Sequence, residues 1–180
     1  MKKIYIILSQ SGTLFSKAIR CYTKDPYNHA SIAFDGNLNV MYSFGRKKRY
    51  NMLNNGFIEE NLSHGLYSFF PNARCCIFEV PVTDEEYDAM YQVLSHFCYH
   101  AENYRYNFMG VVTYAFGKGL KRKDHYFCSQ FVSQLMGEVE SWNYIPELTK
   151  PMDFYYIKNK RIIFEGTIKE FNELQYDIIT

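Results

Sequence analysis

Apolar and polar positions along the chain follow three rhythms, and each predicts a different kind of element. Residues 3–8 form an almost unbroken apolar run, Lys-Ile-Tyr-Ile-Ile-Leu, which reads as a strand buried on both faces. Residues 29–34 and 38–44 alternate with a period of two around Asp35-Gly36-Asn37, the pattern of a β-hairpin. Residues 74–80 predict another strand, and 160–170 a last strand or pair. A helical period marks two longer stretches. One opens on a Thr83-x-x-Glu86 capping box, runs to about residue 100, and carries a stripe of Tyr87, Met90, Tyr91, Leu94, Phe97 and Cys98. The other covers 127–138, with Phe127, Phe131 and Leu135 beside Val132, Met136 and Val139. Shorter helices are expected at 14–21, capped by Thr13, and at 107–116. Residues 45–73 read as irregular, with Glu59 and Glu60 on a solvated loop. Strands and helices that are mixed, without repeated βαβ units, predict an α+β fold in one domain spanning 1–180.

Composition narrows the function classes. The 180 residues carry a formal net charge of +1, which leaves no overall electrostatic footprint for nucleic acid or an anionic membrane. The cluster Lys118, Lys121, Arg122 and Lys123 reads as a solvated loop. The 17 Tyr and 15 Phe suit a tyrosine-rich core and cleft walls. Five cysteines without framework spacing argue against a disulfide-stapled secreted domain. The first apolar run is too short for a signal peptide, and no stretch reaches membrane-spanning length. A cytoplasmic protein without stable membrane insertion is the expectation, with no nucleic-acid partner.

The candidate chemistry centres on Cys128. It falls in the first turn of the helix over 127–138, where unpaired N–H groups and the helix dipole favour a thiolate. A nucleophilic cysteine needs a base that titrates near neutrality. Of the five histidines, His29 is the best placed: it begins a strand whose same-face neighbours, Ser31 and Ala33, are small. Hairpin register nominates the group that orients the imidazole. A three-residue turn puts Ser43 opposite His29; a two-residue Asp-Gly turn puts Tyr42 there. Apolar alternation favours Ser43, and turn geometry favours Tyr42. Two other clusters have simpler readings. His96 and His100 are spaced for a shared metal, to which His125 and Cys128 could add ligands, but no Cys-x-x-Cys pair or Glu directly after His96 supports a site. Cys75 and Cys76 point to opposite faces of one strand. No cofactor or metal is expected.

The segments Asn28-His-Ala-Ser-Ile-Ala-Phe-Asp-Gly36 and Tyr126-Phe-Cys-Ser-Gln-Phe-Val132, with histidine before cysteine, resemble the circularly permuted branch of the NlpC/P60 papain-like superfamily. The resemblance is nearest to its YiiX/YycO-like hydrolases. Thr149-Lys-Pro-Met-Asp-Phe154 is similar to a segment that often follows in that family. The resemblance implies a papain-like antiparallel sheet packed against the Cys-bearing helix. It also implies a thiol-dependent peptidase or amidase acting on a small peptide-like or acylated substrate. Cys128 would be the nucleophile, His29 the base, and the backbone N–H of Cys128 part of an oxyanion hole. A lipid acyltransferase or phospholipase would use the same chemistry, and a binding module on a decayed scaffold is the non-enzymatic alternative. The chain departs from the family at the third position: where many relatives carry Glu or His, this chain reads Met41-Tyr-Ser43.

Overall fold

The computed structural model describes residues 1–10, 25–47 and 54–179. The expected helix at 14–21, its Thr13 cap and Cys21 lie outside the described residues. Six strands form one sheet: β1 (Lys2–Ser9), β2 (His29–Ala33), β3 (Met41–Arg46), β4 (Asn55–Glu60), β5 (Arg74–Val82) and β8 (Arg161–Thr167). Their order is β4-β3-β2-β1-β5-β8, and every pairing is antiparallel. Two dipeptides, β6 (Arg105–Tyr106) and β7 (His125–Tyr126), pair in parallel beside it. The helices are α1 (Asp84–Tyr99), α2 (Phe108–Ala115), α3 (Cys128–Met136) and α4 (Ile168–Ile179). The architecture is α+β, and among the described residues no helix is long and apolar enough to cross a membrane.

β1 lies inside the sheet and is covered on both faces, which explains its continuous apolar run. Ile4, Ile6 and Leu8 join the core beneath α1 and α3. Ile7, on the opposite face, joins Tyr67, Leu62 and the start of α4 at Ile168 and Phe171. Much of the aromatic content fills the first core: Phe44 packs against Phe57, Phe97, Tyr104, Tyr126 and Phe131 at ring-centroid distances of 5.4–6.0 Å.

The capping box at the start of α1 forms as expected: Glu86 N–H donates to Thr83 Oγ1 at 3.1 Å, and Thr83 N–H to Glu86 Oε2 at 2.8 Å. Its apolar stripe is narrower than the sequence implies. Met90, Leu94 and Phe97 are buried, whereas Tyr91 and Cys98 are exposed.

The hairpin register differs from both sequence expectations. Ile32 pairs with Tyr42, and continuing that ladder places His29 opposite Gly45. The connection is longer because Leu38 leaves the strand path. Its backbone is left-handed (φ 55°), and its side chain turns into the second core with Met41 and Leu62. Burying Leu38 there outweighs the regular alternation over 38–40. Four of these strands and helices lie where no element is expected from the sequence: β4, the dipeptides β6 and β7, and α4. β4 falls within 45–73 and forms an edge strand, and α4 follows β8.

Candidate active site

α3 is nearly encased. The sheet covers one side and the 139–154 segment the other, so its polar side chains are bonded internally. Ser129 Oγ donates to the Thr149 carbonyl at 2.7 Å. Trp142 Nε1–H donates to Ser133 Oγ at 3.0 Å, and the Thr149 hydroxyl bridges Ser133 Oγ and the Ile145 carbonyl, each at 2.9 Å. The helix is thereby fixed with its N-terminus against β2. Phe127, before the first turn, offers no capping oxygen, and only Gln130 reaches back, accepting from Phe127 N–H at 3.4 Å. First-turn N–H groups are thus left to face Cys128.

Cys128 and His29, a hundred residues apart in sequence, hydrogen-bond through their side chains. Burial by itself would push the Cys128 thiol up. His29, through its hydrogen bond and its charge, together with the backbone N–H groups of Ala30 and Ser129, outweighs burial and holds the thiol below its ordinary value. Burial likewise opposes an imidazolium at His29. The Glu60 charge and the contacts with Cys128 outweigh it, and His29 is held well above the ordinary histidine range. Both shifts favour the charged forms, a thiolate at Cys128 and an imidazolium at His29.

The third group is Glu60. Its Oε1 lies 2.7 Å from His29 Nε2, and both side chains are only 11% exposed. With Nε2 engaged by Glu60, Nδ1 is the nitrogen left for the thiol. The same carboxylate oxygen accepts a short hydrogen bond from Ser31 Oγ. Tyr67, buried beneath, donates or accepts at Ser9 Oγ (2.8 Å) and also reaches Ser31. Ser43 is therefore not the partner of the imidazole: its Oγ donates 2.7 Å to the Ala30 carbonyl and pins β3 to β2. Tyr42 lies on the opposite face and stacks on Phe57. The register supplies the reason. Gly45, not Ser43 or Tyr42, stands across from His29, and a Cβ there would crowd Ile58 Cδ1 at 2.8 Å.

Sequence reasoning misses Glu60 because it misses β4. The signal is weak: Phe57-Ile-Glu-Glu60 shows no apolar–polar alternation, and only the strand geometry itself puts Ile58 and Glu60 on one face. Pairing of β4 with β3 aligns Met41 with Glu60 and Ser43 with Ile58, the face shared by Ser31 and His29.

Tyr106 is missed as well. Its hydroxyl hydrogen-bonds Cys128, and burial, reinforced by the thiolate, raises it well above the ordinary tyrosine range, so it stays a donor. β4 positions it too. Tyr106 N–H donates to Asn55 Oδ1 at 3.1 Å, and Gly56 lies so close to Tyr104 that a Cβ would sit 2.4 Å from its carbonyl oxygen.

A narrow cleft of about 30 Å3 opens over Cys128, with Tyr27, Tyr106, Val111, Tyr114, Phe127 and Pro151 among its walls. That is room for little more than one or two waters. A wider groove of about 720 Å3 runs along the outer edge of β4 past Glu60, but Cys128 does not line it. The other described cysteines contrast with Cys128. Burial pushes Cys75 and Cys76 up to about 12, and Cys98 is also raised, chiefly by burial. The rings of His96 and His100 meet at 4.6 Å, and among the described residues no group of three His, Cys, Asp or Glu is placed to hold a metal ion. Compared with models of known protein families and with curated protein sequences, the chain shows no match.

Proposed function

We propose that the chain is a cysteine-dependent acyl hydrolase or acyltransferase of the permuted NlpC/P60 papain-like type, acting on a peptide-like or acylated small substrate. The observation that carries this reading is the buried Cys128–His29–Glu60 array, in which the thiol is held low and the imidazole high. A histidine on an early strand, a cysteine at the start of a late helix and an acid two strands from the histidine in the same sheet match the constellation such chemistry needs.

The Cys128 thiolate attacks the carbonyl carbon of an amide or ester and forms a C–S bond. Tyr106 O–H and first-turn N–H groups face the developing oxyanion. As the carbon–heteroatom bond breaks, the His29 imidazolium gives its proton to the departing amine or alkoxide. A water or an acceptor alcohol then attacks the thioester, His29 takes its proton, and the acid or transferred ester leaves Cys128 free. Glu60 keeps the imidazole oriented throughout.

The binding-module alternative is motivated by a hydroxyl as the only orienter; a carboxylate 2.7 Å from the imidazole supports the enzyme reading over it. Alkylation with iodoacetamide at mildly acidic pH, followed by mapping of the adduct, tests the proposal. Selective modification of Cys128, lost in His29→Ala, supports it; equal, slow labelling of every accessible cysteine contradicts it.

A further inference from the structure

α2 is an anomaly on the surface. Its sequence, Phe-Met-Gly-Val-Val-Thr-Tyr-Ala, contains no charge, and three of its apolar side chains or immediate followers stand in solvent: Met109 is 54% exposed, Val112 46% and Phe116 75%. One side of the same helix supplies Val111 and Tyr114 to the cleft over Cys128. The exposed apolar face thus borders the mouth of the candidate active site.

The basic loop that follows is folded along this helix. Lys118 N–H donates to the Thr113 carbonyl at 3.0 Å near the C-terminal end, and Asn107 Nδ2 donates to the Leu120 carbonyl at 3.1 Å at the N-terminal end. Lys118, Lys121, Arg122 and Lys123 thus lie on a loop tied to both ends of the helix, and all four are exposed. Residues 105–123 contain five Lys or Arg (these four and Arg105) and no Asp or Glu, in a chain whose net charge is only +1. The overall balance conceals this local asymmetry, which is why the lysines alone read as a solvated loop.

We propose that α2 and the 117–123 loop dock the cleft mouth on an anionic phospholipid surface. Met109, Val112 and Phe116 enter the interfacial layer, and the loop cations meet the headgroups. An exposed apolar helix face joined to a cationic loop suits a negatively charged bilayer surface better than an apolar protein partner. Docking itself does not require the thiol. Its consequence for substrate rests on the proposed function: an acyl ester of a membrane lipid would meet Cys128 through the Val111–Tyr114 side of the cleft.

The test is co-sedimentation of the full chain with vesicles of phosphatidylcholine alone and of phosphatidylcholine mixed with phosphatidylserine. Binding is expected only to the mixed vesicles, and it should weaken as salt is raised. Met109→Ser with Phe116→Ser, and separately Lys121→Glu with Arg122→Glu, should each lower the bound fraction about tenfold or more. These positions are exposed, so circular dichroism and Cys128 alkylation should stay unchanged in both variants. Cys128→Ala should bind as the parent does. Absence of binding to the mixed vesicles, or equal binding to both kinds, overturns the proposal while leaving the thiol chemistry standing. So does concentration-dependent self-association that Phe116→Ser abolishes without any vesicle binding, since that face would then join two copies of the chain.

Discussion

Nε2 of His29 lies 2.7 Å from Oε1 of Glu60, although β3 separates the strands on which the two residues sit. The contact bridges two strand spacings, and Ser31 steadies it by donating to the same oxygen. It makes a carboxylate, not a hydroxyl, the group that orients the imidazole.

Glu60→Gln should therefore damage the site far more than Ser43→Ala. Removing the charge withdraws the main support of the imidazolium, and loss on the order of 10²–10⁴-fold in kcat is expected for an acid that orients a catalytic histidine. Ser43→Ala should keep activity within a few-fold, yet lower stability by about 1 kcal/mol through its lost bond to the Ala30 carbonyl. Turnover of an activated acyl ester, paired with urea unfolding, separates the two. Similar kinetic losses in both variants would count against the role given to Glu60.

Tyr106→Phe removes a donor to Cys128 while keeping the ring. If the hydroxyl faces the oxyanion, kcat should fall by about 10²-fold or more with little change in KM. A purely structural role would instead show as lost stability with kcat intact.

The pH profile follows from the directions of the two shifts. Cys128 is shifted below its ordinary 9.0 and His29 well above 6.5, and both shifts favour the ion pair on which the proposed chemistry depends. Activity should fall on the acid side as the thiolate takes up a proton, and on the alkaline side as the imidazolium loses one. The limbs report the pair rather than either residue alone. A profile of kcat/KM that only rises, with the midpoint of an ordinary cysteine, would contradict the pairing.

Phe44 tests the packing that holds β3 and α3 together. It is fully buried and touches five other rings, so Phe44→Ala should cost about 3–5 kcal/mol in chemical unfolding. A loss below about 1 kcal/mol would mean that the aromatic cluster is not the core it is taken for.

How far the sequence reveals the site depends on which signals are local. Cys128 can be placed because a helix period and a first-turn position are both properties of a short segment. His29 can be placed because its alternating neighbours are small. Glu60 cannot, since its role follows from a register set by the turn of Leu38 into the second core and by the pairing of β3 with β4. Asn55 and Gly56 at the start of β4 disguise a strand, yet both are needed where they stand. Asn55 accepts from Tyr106 N–H, and Gly56 admits the Tyr104 carbonyl. The aromatic richness is legible as core, and most of it is core. The lysines of 117–123 are legible as exposed; their alignment with an apolar helix depends on bonds to Thr113 and Asn107 that no local pattern announces.

Every step of the proposed chemistry depends on His29 keeping Cys128 ionised in the folded chain. A titration of thiolate absorbance for the parent chain minus that of Cys128→Ala, repeated in a His29→Ala background, reads this ionisation without any substrate. The Cys128 thiolate should persist below the ordinary cysteine value of 9.0, and its ionisation should move to higher pH when His29 is removed. A thiol that ionises at or above 9.0 whether or not His29 is present would refute the ion pair and the mechanism built on it.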